Sequence, residues 1–149
     1  MMKLSCAFLG TLAAVCVSAP ALAALGGDAA SVESDRASMK GALRVTTTVD
    51  YDIHEIQTPA GGVIHEYVSA QGKVFAVTWH GPGLPDLGQL LGSYAAQLAK
   101  APTGPHNHHH LHIETPEVVM QSDAYLRNRS GRAWVRALLP QSLSLKDIG

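Results

Sequence analysis

The sequence predicts a single α+β domain. An antiparallel sheet of about five strands, a meander followed by a C-terminal hairpin, carries a Leu-rich amphipathic helix over residues 86–100 and a short N-terminal helix. Three observations carry this prediction. Residues 73–79, KVFAVTW, are dense in β-branched and aromatic residues, which suit a pleated, half-buried surface. The other apolar runs are short and separated by Gly- and Pro-containing turns, as in hairpins. Leu87, Leu90, Leu91, Tyr94 and Leu98 recur at i, i+3, i+4, i+7 and i+11, one apolar stripe on a helix.

The chain opens on a targeting segment. Lys3 supplies a positive start, residues 4–17 an apolar run, and Ala21-Leu22-Ala23 an A-x-A cleavage site. The run is too short to span a membrane. Residues 1–23 therefore read as a signal peptide and residues 24–149 as one exported domain, periplasmic or secreted, with no transmembrane segment after cleavage. Cys6 and Cys16 both fall in the leader. Val15 makes Cys16 a poor lipidation site, so the expected mature chain has no thiol and no disulfide. Losing Lys3 leaves ten Lys/Arg against twelve Asp/Glu, a formal charge of −2. Nothing in that balance recruits nucleic acid or an anionic membrane.

Next in order, Asp28 or Ser31 can cap a short helix that Gly41 ends. Residues 43–56 read as one strand with Val45, Thr47, Val49, Tyr51 and Ile53 on one face; Asp50 and Asp52 mark a bend. Thr58-Pro59-Ala60-Gly61-Gly62 is a turn. Residues 63–69 form the next strand, and Ala70-Gln71-Gly72 turns into residues 73–79. There the period of two places Phe75, Val77 and Trp79 together. Gly81-Pro82-Gly83-Leu84-Pro85 stops the strand, since proline cannot donate to a ladder. Asp86 caps the Leu-rich helix, with Gln89 three residues on as in a capping box, and Pro102 forbids its continuation. Residues 117–122 and 132–139 read as two more strands around an Arg127-Asn128-Arg129-Ser130-Gly131 turn.

Gly72-Lys73-Val74-Phe75-Ala76-Val77-Thr78-Trp79, then Gly81-Pro82-Gly83-Leu84-Pro85-Asp86-Leu87 running into Leu90-Leu91-Gly92, form the most specific stretch. Ala24-Leu25-Gly26, Gly131-Arg132-Ala133-Trp134 and Leu138-Leu139-Pro140 extend the pattern. Together they resemble domain-of-unknown-function family 2844, small exported Gram-negative bacterial proteins of no established activity. The resemblance implies an exported single domain and carries over no catalytic residue. The His-rich run is a departure from it.

Five of the eight histidines lie in residues 106–112. If this stretch is extended, His108, His110 and His112 share a face, with Glu114 next on it, and same-face side chains stand roughly 6.5–7 Å apart. That arrangement suits two ligands to one Zn²⁺ or Cu²⁺. The plainer alternative is a solvated loop in which His is tolerated. His54-Glu55 and His65-Glu66 flank the 58–62 turn and meet if it is a hairpin, with register deciding which side chains share a face. The plainer reading puts both pairs on a wet face. His80 sits at the end of a strand, with no G-x-S-x-G, H-E-x-x-H or phosphate loop to accompany it. Arg127, Arg129, Arg132 and Arg136 gather charge that would suit an anionic partner or a solvated face, and Trp79 and Trp134 sit in core-like runs.

The expected function is a non-enzymatic binding or envelope accessory domain with no cofactor and no named catalytic residue. The alternative is a Zn/Cu-binding protein using residues 106–112, and an enzyme of unrecognised type ranks last.

Overall fold

Residues 43–56 do not form one strand. In the computed structural model, which describes residues 25–104 and 109–149, Thr48 closes a tight turn. Its hydroxyl donates to the Tyr51 carbonyl at 2.6 Å and accepts from the Tyr51 N–H at 3.2 Å. The run becomes a hairpin of β1 (Ala42–Thr47) and β2 (Tyr51–Gln57). β3 (Val63–Ser69) and β4 (Val74–Pro82) continue the meander. β5 (His110–Glu114) emerges from the His-rich run and pairs with β6 (Val118–Tyr125), which pairs with β7 (Asn128–Val135). β7 then docks on β4, giving one antiparallel seven-stranded sheet of order β1-β2-β3-β4-β7-β6-β5.

The α+β class with about five strands is therefore corrected to a mainly-β fold with small helices. Two strands were missed for two reasons. A Thr side chain can close a turn without Gly or Pro, and a His-rich stretch has no apolar alternation to betray an edge strand. The helices are also shorter than their apolar stripe suggests. The 86–100 helix breaks into α2 (Leu87–Leu91) and α3 (Tyr94–Lys100), because Gly92 takes φ 52° and ψ −128°, outside the helical region. The stripe survives the break, with Leu90, Leu91 and Leu98 buried. α1 (Ala30–Ser38) completes the helical layer.

The helices cover one face of the sheet. Val32, Leu90, Leu91 and Leu98 pack there on Ile56, Ile64, Val68, Val74, Val77, Trp79, Ile113, Met120, Ala133 and Val135. A strap of residues 25–27 ties this layer down. Leu25 N–H donates to the Leu90 carbonyl at 3.0 Å and Gly26 N–H to the Val74 carbonyl at 2.7 Å. As expected, the Asp86 side chain accepts the Gln89 N–H, at 3.1 Å. The Gln89 side chain does not return to close a capping box. It leaves for α1, donating to Asp35 and accepting from Ser38 at 2.9 Å.

The opposite face holds a second core of Tyr67, Phe75, Ala76, Val119, Trp134 and Ile148. Phe75 belongs here, not beside Val77 and Trp79. Val68 pairs with Val74 and Tyr67 with Ala76, so Phe75 is the extra residue of a β-bulge that inverts the alternation. The C-terminal tail lies over this core, with Leu138, Leu139 and Leu143 packed on it.

Candidate functional site

The tail covers only half of its face. Beyond it the sheet presents two polar rows. In the first, cross-strand neighbours run Arg44, Glu55, His65, Thr78, Arg132, Gln121, His112, one residue from each of the seven strands. In the second they run His80, Ser130, Asp123, His110.

The rows are knit by hydrogen bonds. Glu55 Oε2 accepts from His65 Nε2 at 3.1 Å, which leaves Nδ1 as the acceptor for the Thr78 hydroxyl at 3.3 Å. That bond, and a second from Gln57, hold the Glu55 carboxyl below its ordinary value. Arg132 Nε donates to Gln121 Oε1 at 2.8 Å, and Gln121 Nε2 donates to His112 Nδ1 at 3.1 Å. His110 Nδ1 lies 2.6 Å from Asp123 Oδ1. A cleft of about 520 Å³ opens over these rows, with His65, Thr78, His80, His110, Gln121, Asp123, Ser130 and Arg132 on its walls and Ile148 and Gly149 of the tail at its rim.

Arg132 connects the site to the tail. Its Nη1 donates to the carbonyls of Leu145 at 2.9 Å and Ile148 at 3.0 Å, and its guanidinium lies 5.5 Å from the Trp134 ring centroid. Arg132→Met would keep the apolar stem and remove every donor. The expected result is loss of hydrogen-exchange protection at residues 143–149 and increased quenching of Trp134, with the strands unchanged. Unaltered protection of the tail would refute the latch.

The hairpin register sorts the two His-Glu pairs onto opposite faces. Glu55 and His65 meet on the open face, as described, while His54 and Glu66 are cross-strand partners under the helices. The plainer reading, both pairs on a wet face, is therefore corrected. Glu66 is 0% exposed, and so is Asp35, which reaches it from α1. Burial and the adjacent Asp35 push the Glu66 carboxyl up to about 9, and burial also raises Asp35. Burial lowers His54. The signal was legible in retrospect, since Glu66 shares parity with Ile64 and Val68, both core residues. Thr78, Gln121 and Ser130 were missed because nothing local marks a polar residue as part of a row.

His80 lies on the cleft wall. His110 and His112 share a face on β5, as the extended reading required, and each engages a β6 side chain. His108 lies outside the described residues. Among the described residues no group of three or more His, Cys, Asp or Glu is placed to hold a metal ion. Of the four arginines, Arg132 latches the tail and Arg136 pairs with Glu114, while Arg127 and Arg129 stand exposed at the β6–β7 tip. Trp79 and Trp134 are buried, in different cores.

A family model described as "Protein of unknown function (DUF2844)" matches residues 21–148. The chain belongs to this family. The DUF2844 match spans all seven strands, both cores and both polar rows. No curated protein and no solved structure matches the chain. No helix among the described residues is long and apolar enough to cross a membrane.

Proposed function

We propose that this chain is an exported, non-enzymatic domain that binds a small polar ligand in the cleft beside the tail. The tail-bearing face is divided in two, and that division carries the proposal. Its apolar half is sealed by residues 138–148, while its polar half stays open over donors and acceptors that hold one another in place. Concave sites with a few convergent polar groups are where small molecules bind. Export is supported by the leader-like residues 1–23 and points to the periplasm or the exterior.

Two features support binding over catalysis. The strongly perturbed carboxyl, Glu66, is sealed with Asp35 beneath the helices, away from the cleft. Thr78, the hydroxyl bonded to His65, is 6% exposed in the middle of the sheet, where ladder hydrogen bonds occupy the backbone amides an oxyanion would need. A second reading, Zn²⁺ or Cu²⁺ binding through His110 and His112 with His108, is favoured by the shared face of the two β5 histidines on the side that bears the cleft.

Both are tested by NMR titration of residues 24–149 with sugar acids, dicarboxylates, neutral sugars, Zn²⁺ and Cu²⁺. For the cleft, the amides of Thr78, His80, Gln121, Asp123 and Ser130 should move with one organic class. Asp123→Asn, which removes a charged acceptor, should weaken that ligand by about tenfold or more. A panel that leaves those amides unmoved, or an affinity indifferent to Asp123→Asn and His80→Ala, removes the binding reading. For metal, submicromolar binding abolished by His110→Ala with His112→Ala would put the second reading first.

A further inference from the structure

At one end of the sheet the β6–β7 hairpin breaks two rules at once. Tyr125 pairs with Asn128, so only Leu126 and Arg127 form the turn. Leu126 takes φ 54°, in the left-handed region that two-residue hairpin turns reserve for Gly, Asn or Asp. The same side chain is 89% exposed, and its neighbour Tyr125 is 72% exposed. A strained backbone that displays a large apolar group to water serves neither folding nor solubility, and such violations collect at functional positions.

The surroundings say what the tip fits. Arg127, Asn128 and Arg129 are all exposed, and among the described residues neither arginine has an ion-pair or side-chain hydrogen-bond partner. Asp123 is engaged by His110, and Asp86 caps α2. Pro82 pairs with Asn128, which places the 82–85 corner, with Leu84 50% exposed, at the same end of the sheet.

We propose that this hairpin tip rests on an anionic phospholipid surface, Tyr125 and Leu126 entering the headgroup layer while Arg127 and Arg129 meet the phosphates. Tyr is at home at a membrane interface, and long cationic side chains reach up to phosphates from a shallow apolar anchor. A convex tip of five residues is far below the roughly 800 Å² per partner that a stable protein interface buries. The formal charge of −1 favours no polyanion as a whole, so the attraction is local to Arg127 and Arg129, and two cations fall short of the basic stripe a nucleic-acid interface uses. The proposal is independent of the cleft.

The test is flotation of residues 24–149, which contain every described strand and helix, with vesicles of phosphatidylcholine alone or with phosphatidylglycerol added. Binding is expected only with the anionic lipid, and it should fade at high salt. Arg127→Ser and Arg129→Ser should each cost roughly fivefold in partitioning. Leu126→Gly relaxes the turn, so the unfolding midpoint should hold or rise while partitioning falls severalfold. That split is what a merely structural tip would not produce. The proposal is overturned if anionic vesicles recruit no protein, if Leu126→Gly binds as the parent does, or if soluble polyanions without lipid compete as well as vesicles do.

Discussion

Glu66→Gln is expected to make the domain more stable than the parent at pH 8 and to flatten its pH profile. Glu66 faces Asp35 from α1 and His54 from β2, on a sheet row continued by Val77, with Gln89 and Asp86 of α2 nearby. Neither carboxyl is exposed. Two carboxylates cannot both ionise in such a space, so the pair keeps a proton, Glu66 as the acid and Asp35 as the acceptor already bonded by Gln89. The Glu66 carboxyl ordinarily titrates at 4.5 and here is pushed up to about 9. Between those values the folded protein holds a proton that the unfolded chain has released. The stability linked to this group is therefore full below about 4.5 and drains as pH rises toward about 9, at up to ~1.4 kcal/mol per unit. Gln supplies the same donor without the titration, so a gain of about 2–4 kcal/mol at pH 8 is expected. Urea unfolding of both chains at pH 5, 7 and 8.5 decides it. Parallel profiles would mean that the pair is not sharing a proton. Glu55 works in the other direction. Its lowered carboxyl adds stability above its ordinary value that is lost as pH falls, so the parent should be most stable in the mildly acidic range.

Gly131→Ala should destabilise the domain by about 1–3 kcal/mol or more, an overpacking penalty without a flexible neighbour to absorb it. A Cβ at Gly131 would stand 2.2 Å from Trp79 Cζ2 and 2.7 Å from the Gln121 carbonyl oxygen. Trp79 and Gly131 are cross-strand partners, and the indole lies across the gap where a side chain would be. Trp79 is 2% exposed and cannot swing away without opening the helix-side core, and the Gln121 oxygen belongs to the backbone of β6. The measurement is the denaturation midpoint together with the tryptophan emission maximum, which should shift to the red. An unchanged midpoint would show that β7 can move away from β4. Gly131 opens the Gly131-Arg132-Ala133-Trp134 stretch, and the register gives each of its four residues a separate task. Gly131 admits Trp79, Arg132 latches the tail, Ala133 fills the helix-side core and Trp134 fills the other.

How much of this was legible depended on the range of the signal. The strand expected at residues 73–79, the Asp86 cap and the 58–62 turn are written in neighbouring residues and are present, although the strand runs on through Gly81 and Pro82 of the corner expected to stop it. The apolar stripe of α2 and α3 was legible and their separation was not, because a Gly inside a periodic stripe costs only about 1 kcal/mol and does not by itself show whether the helix ends there. Residues 108–112 left extension and a solvated loop both open, and pairing with β6 is what makes His110–Glu114 the strand at the sheet edge. The meeting of the His-Glu pairs across a hairpin was legible from the 58–62 turn, but the face each residue occupies was not. A one-residue shift exchanges the faces of a strand, so the same four residues could have made a wet patch or a buried acid pair.

By itself the sequence determined several of the local elements, the leader-like start, the apolar positions that must find a core, and the family pattern. Only the tertiary structure decided that there are two cores, that a bulge at Phe75 reverses part of β4, and that the tail seals one half of a face while leaving a polar cleft in the other. The physical reason is that strand geometry has a period of two and no memory of direction. Which side of a residue becomes inside depends on partners far away in the chain, and those partners meet only when the sheet is assembled.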